Sequence, residues 1–108
     1  MPPVVVVENE RPLQRLLRWA LEEEGLPVET VAPEDAPRCI DRHIFVINAQ
    51  IPIAERLTIA DAAHAMGASV IDLLAPDEPE SPPYADAVVT SPYRASDVVR
   101  AIARLRMT

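Results

Sequence analysis

The chain has 108 residues, 49% of them hydrophobic and 25% charged, with a formal net charge of −7. This is globular composition at a common domain size, enough to bury roughly two-thirds of the unfolded surface without staples. A lone cysteine, Cys39, excludes an internal disulfide, and the acidic balance argues against nucleic acid. No apolar run is long enough to span a membrane, and the opening residues lack a basic-then-apolar leader. One cytoplasmic domain over residues 1–108 is the expectation.

Val4 to Val7 form an unbroken β-branched run, the pattern of a strand buried on both faces of a parallel sheet. Glu8, Asn9 and Glu10 follow it, at the carboxyl edge where open α/β sheets bind ligands. From Pro12 to about Glu24, Leu13, Leu16, Leu17, Ala20 and Leu21 mark one apolar helical stripe, closed by Gly25. Residues 26–32 read as a second strand, and residues 33–42 leave room only for a short helix weakened by Pro37.

His43 to Ile47 is a second buried run ending at Asn48, Ala49 and Gln50. A helix over Ile53 to Met66 is expected before Gly67, with a weak moment because its face is alanine-rich. Residues 69–74 and 86–90 read as the fourth and fifth strands. A last helix starts near Ser96, with Val98, Ala101, Ile102 and Leu105 inward and Arg100, Arg104 and Arg106 towards its negative end. Residues 76–83, Pro-Asp-Glu-Pro-Glu-Ser-Pro-Pro, are too rich in proline for a regular helix and read as an exposed extended loop. The order predicts an α/β fold, a doubly wound five-stranded parallel sheet of the flavodoxin-like type.

Three segments carry a family resemblance: residues 4–13 (VVVVENERPL), 47–52 (INAQIP) and 85–93 (ADAVVTSPY). In this order and spacing the chain resembles the receiver domain of bacterial response regulators, CheY-like (βα)5 proteins. The shortened second helix and the proline-rich loop in place of the fourth are departures. The resemblance implies an acidic pair for Mg²⁺, an aspartate phosphoacceptor, a strand-four hydroxyl, and a lysine followed by a cis-proline and an aromatic. Carried over, the acidic pair falls on Glu8 and Asn9, with Glu10 peripheral. The phosphoacceptor falls on Asn48 and the lysine on Ser91, followed by Pro92 and Tyr93. The hydroxyl position falls on Leu74, or on Ala75 if the register shifts by one.

An amide cannot replace the carboxylate nucleophile of acyl-phosphate formation, and Mg²⁺ prefers hard anionic oxygens. All ten cations are arginines, so no shift of alignment supplies a lysine. The expectation is a degenerate pseudo-receiver, not an enzyme, in which Asn9, Asn48 and Ser91 form a neutral cluster with Glu8 and Mg²⁺ binds weakly or not at all. Its partner would be a protein: a histidine kinase, an output domain, or a second copy forming a homodimer.

Tyr93 and Arg94 belong to the face that the family uses for dimerisation or output. Trp19 falls beside the apolar stripe, where flank packing is the first reading and an interface anchor the second. Asp72, inside an apolar strand, is read as a partnered or edge-exposed carboxylate ahead of a displaced ligand. His43, His64 and Cys39 have no metal-site or nucleophile pattern around them. The other class of function is a small ligand or metal at the sheet's carboxyl edge, held by Glu8, Asn9, Asn48 and Ser91. Gly25 and Gly67, the only glycines, sit at helix ends and make no phosphate loop.

Overall fold

The four valines of the first strand are fully buried because the strand lies in the interior of a sheet covered on both faces. In the computed structural model, which describes residues 4–36, 44–48, 51–75, 77 and 84–106, this strand is β1 (Val4–Val7). Val4 and Val6 enter one core cluster, and Val5 and Val7 enter the other. Alternation of side chains along a strand thus divides a uniform run between two layers. Burial of each such side chain contributes roughly 1.5–3 kcal/mol relative to exposure.

The remaining elements follow as α1 (Arg11–Glu23), β2 (Val28–Val31), β3 (Ile44–Asn48), α2 (Ile53–Ala65), β4 (Ser69–Leu74), β5 (Ala87–Thr90) and α3 (Ala95–Arg106). All four strand pairings are parallel, in the order β2-β1-β3-β4-β5. This is the flavodoxin-like order, and it puts the topological switch point between β1 and β3. Helices α1 and α3 cover the first cluster with Leu21, Val98 and Ile102, and α2 covers the second with Ile59, Ala60 and Ala63.

Helix α1 ends at Gly25, whose φ of 84° suits the left-handed turn after a helix, and the Leu26 N–H returns to the Leu21 carbonyl at 3.3 Å. Gly67, at φ 82°, does the same for α2, where the Ala68 N–H meets the Ala63 carbonyl at 2.9 Å.

Two expectations for α1 are corrected. Leu16, assigned to the inward stripe, is 58% exposed, and Trp19 is 63% exposed and not packed on a flank. The helix enters the core along a narrower line than the sequence stripe suggests, with Leu21 buried in the first cluster, Leu17 packed against it, and Leu13 and Ala20 only half-buried. Leu16 lies on its rim. Of the short second helix, only a turn at 33–36 falls within the described residues, with the Ala36 N–H to the Pro33 carbonyl at 3.3 Å. Residues 37–43, including Cys39 and His43, lie outside them, as does the proline-rich stretch except Asp77.

Candidate functional site

Strand register decides which polar residues meet. Val7 of β1 stands beside Ile47 of β3, so the next residues along each strand, Glu8 and Asn48, face one another at the switch point. Glu8 is fully buried and Asn48 is 9% exposed. The Asn48 Nδ2 donates to Glu8 Oε2. On the other oxygen, Oε1 accepts the backbone N–H of Asn9 at 3.0 Å and that of Glu10 at 3.2 Å. One buried carboxylate therefore takes three N–H donors. Such charge-assisted bonds are the usual way to hold an anion out of water without a cation beside it.

The backbone of Glu8 is tied down as well. Its N–H donates to the Val31 carbonyl at 3.1 Å, and its carbonyl accepts from Gln14 Nε2. Gln14 stands in the first turns of α1 and also reaches the Val31 carbonyl at 3.5 Å. It bridges the ends of β1 and β2, a role the sequence reading missed. A half-buried amide where the helix leaves the sheet edge is the only local signal for it.

The other expected residues are arranged less tightly. Asn9 contributes its backbone N–H to Glu8 while its own residue is exposed. Leu74 ends β4, 6% exposed, and its carbonyl accepts the Ser91 N–H at 2.9 Å. Ser91 follows β5, two strands beyond Asn48, and is not among the hydrogen-bond partners of Glu8. The expected cluster thus narrows to Glu8 and Asn48 with the backbone amides of Asn9 and Glu10.

The Ser91–Pro92 peptide is cis. Tyr93 packs against the first core cluster, and its phenol is raised above the usual range by burial and then by the negative charge of Glu8. Arg94, the next residue, is exposed.

The Mg²⁺ implied by the resemblance does not fit these residues. Both oxygens of Glu8 already accept N–H donors, and the facing group is an amide that presents hydrogens. Among the described residues no three acidic, histidine or cysteine side chains gather into a metal-binding group.

Asp72 is not available as a displaced ligand. It is fully buried on the α2 side of the sheet, where Arg56 Nη1 donates to its Oδ2 at 3.0 Å and the Tyr84 hydroxyl donates to its Oδ1 at 3.0 Å. Arg56, on α2, is itself only 5% exposed. The Tyr84 phenol is pushed well above its ordinary range by burial first and by the adjacent Asp72 charge second. The sequence marked Asp72 as anomalous but gave no hint of its partners. His64 pairs at the surface through Nε2 with Asp86 Oδ2 at 2.9 Å, and the Val70 N–H donates to the same oxygen at 2.8 Å.

An apolar groove of about 400 Å³ runs between α1 and the segment after β5, lined by Leu13, Leu16, Leu17, Pro92, Tyr93 and Ala95 among others. No helix among the described residues is long and apolar enough to cross a membrane.

No protein-family model matches the chain. No curated protein matches it either. Solved structures do. The response regulator TrrA of Thermotoga maritima, in complex with Mg²⁺ and BeF, superposes with a TM-score of 0.81 at 22% identity, covering 97% of this chain and 99% of that one. TrrA in complex with the histidine kinase ThkA gives a TM-score of 0.80 at 22% identity, over 97% and 98% of the two chains. A response regulator receiver domain from Clostridium thermocellum gives 0.81 at 16% identity, over 97% and 94%. At these identities the likeness is one of fold, and the fold of this chain is that of the CheY-like receiver domains.

Proposed function

We propose that the chain is a receiver-like protein-interaction module of two-component signalling that works without phosphorylation. One observation carries the reading. At the switch point, where a receiver needs a free carboxylate nucleophile, an amide stands and donates to the buried carboxylate of Glu8. An acyl phosphate forms on a carboxylate oxygen, and the Asn48 side chain is a neutral amide that cannot serve in its place. The lysine that would balance phosphoryl charge is absent from the whole sequence, and Leu74 has no hydroxyl. Mg²⁺ binding is weak or absent on this reading, and the module performs no chemistry of its own.

Function then lies in the surface. A protein partner in the cytoplasm follows: a histidine kinase, an output domain or another copy. The TrrA–ThkA complex supports the kinase class, since there a regulator of this fold sits with a kinase. The small-ligand reading is weaker, because Glu8 has both oxygens engaged internally. The test is incubation with a small-molecule phosphoryl donor and Mg²⁺, followed by intact-mass measurement. The unmodified mass is expected at all times. A mass increment of one phosphate, stable to acid and labile to base or hydroxylamine, would overturn the reading.

A further inference from the structure

The chain is strongly acidic, but its cations are not spread evenly. Helix α1 together with Arg94–Arg106 holds seven of the ten arginines against three acids, Glu22, Glu23 and Asp97, a local formal charge of +4. The remainder of the chain therefore carries −11.

On the basic side stand the two most exposed large apolar residues of the described structure, Trp19 at 63% and Leu16 at 58%. Trp19 follows Leu16 by three residues and Arg15 by four, so the three are neighbours on the helix surface. Arg18 is exposed beside them and is held by Glu22 at 3.0 Å. Arg15 makes no ion pair among the described residues. An indole in water beside an uncommitted guanidinium is a knob with a cationic collar.

The opposite face of the sheet carries the complement. Between the turn after β2 and helix α2 lies a hollow of about 430 Å³ with Pro33, Ala54 and Ile59 in its lining and Glu34 and Glu55 exposed around it. This volume lies within the range of hollows that take aromatic-sized groups. Neither glutamate makes an ion pair among the described residues.

We propose that the chain associates with itself head to tail, the Trp19–Leu16 knob of one copy entering the Pro33–Ile59 hollow of the next, with Arg15 and Arg18 opposite Glu34 and Glu55. The two surfaces lie on opposite faces of the sheet, α1 over the first core cluster and α2 over the second. A heterologous contact of that kind leaves a free surface on each copy of a dimer and so extends beyond two copies, into a ring or an open stack. Apolar anchoring gives the affinity, and opposite charges give register and salt dependence. The proposal rests on the reading of the chain as an interaction module and names its partner.

Trp19 is the only tryptophan in the chain, so its fluorescence reports directly on the contact. The test is sedimentation velocity of the full chain with tryptophan emission, over a concentration series at low and high salt. The weight-average mass is expected to rise without a plateau at the dimer while emission moves to shorter wavelengths. High salt weakens the association at least about threefold through screening of the exposed pairs. An Arg15→Glu/Arg18→Glu variant and a Glu34→Arg/Glu55→Arg variant are each expected to stay monomeric, with unchanged circular dichroism. Mixing them restores association, because each then meets an opposite charge. A monomer at every concentration, with constant emission, overturns the proposal and makes a foreign protein the occupant. A plateau at the dimer that ignores the Glu34/Glu55 reversal also overturns it, in favour of a symmetric α1–α1 contact. Both readouts are independent of the phosphoryl-donor experiment, so failure of one reading is separable from failure of the other.

Discussion

Replacing Asn48 with aspartate converts the donor that holds Glu8 into a second carboxylate, inside a site where Glu8 is fully buried and Asn48 is 9% exposed. The lost charge-assisted bond costs about 1.5–3 kcal/mol. Two like charges about 4 Å apart, at an effective dielectric of about 20, repel by about 4 kcal/mol. The pair limits that cost by sharing one proton, as adjacent carboxylates do. An Asn48→Asp variant is therefore expected to lose about 3–5 kcal/mol at neutral pH, a drop in melting temperature of more than about 10 °C for a domain of this size.

The pH dependence of that loss follows from proton linkage. The folded variant retains a proton that its unfolded carboxylates, with pKa values of about 4, have released. The folded state then binds more protons than the unfolded one, so the variant's stability falls as pH rises above about 4. Its deficit against the parent narrows on acidification. Mg²⁺ restores stability to the variant, which offers paired carboxylates, and not to the parent. An Asn48→Ala control should lose only about 1.5–3 kcal/mol, the bond without the repulsion. The assay is thermal and urea unfolding by circular dichroism across pH, with and without Mg²⁺. A deficit below about 1 kcal/mol that is flat with pH would refute the Glu8–Asn48 contact itself. Phosphoryl labelling of the variant should still be poor, since a carboxylate alone restores neither the lysine nor the strand-four hydroxyl.

The buried Arg56–Asp72 pair is expected to show strong coupling in a double-mutant cycle. Arg56→Met or Asp72→Leu alone should cost about 3–5 kcal/mol by stranding a buried charge, and the double variant clearly less than their sum, measured by urea unfolding. The chain has two tyrosines, Tyr84 and Tyr93, and burial raises both phenols. A phenol that keeps its proton when folded stabilises fully below about pH 10, where the unfolded group still holds its own. That contribution is lost as pH rises beyond it. Ultraviolet titration of the folded protein should show tyrosine ionisation displaced above the usual pH of about 10, Tyr84 the more strongly, with unfolding accompanying it. A normal transition near 10 while structure persists would contradict the packing of both rings.

Much of the fold was written in local pattern. Runs such as Val4–Val7 and Ile44–Ile47 are short, largely β-branched and without polar alternation, the pattern of a doubly covered parallel strand. The Glu8–Asn48 contact was legible for a related reason. Each residue sits one step past an obvious strand, and β1–β3 adjacency in the flavodoxin-like order brings those steps together. What escaped has no local period. Arg56 meets Asp72 across 16 residues of sequence, and nothing in an alanine-rich helix marks which arginine turns inward. Tyr84 belongs by composition to a loop, yet its hydroxyl completes a buried carboxylate. Leu16 and Trp19 failed in the opposite sense. Helical spacing describes a broad stripe, but the width that is covered depends on the neighbours, and α1 meets few of them on that side.

The two buried carboxylates on the sheet show how differently one fold accommodates an anion. Asp72, set into the α2 face, has an arginine of its own and a phenol, and its charge is balanced inside the protein. Glu8, at the open edge where ligands are bound in folds of this order, has only neutral donors. A site kept for metal and phosphate leaves carboxylate oxygens free and provides a cation for the incoming charge. Here Glu8 instead accepts from Asn48 at the end of β3 and from the backbone amides that lead into α1. On the function proposed above, this edge acts as a joint, and the surfaces it holds in place are what a protein partner would recognise.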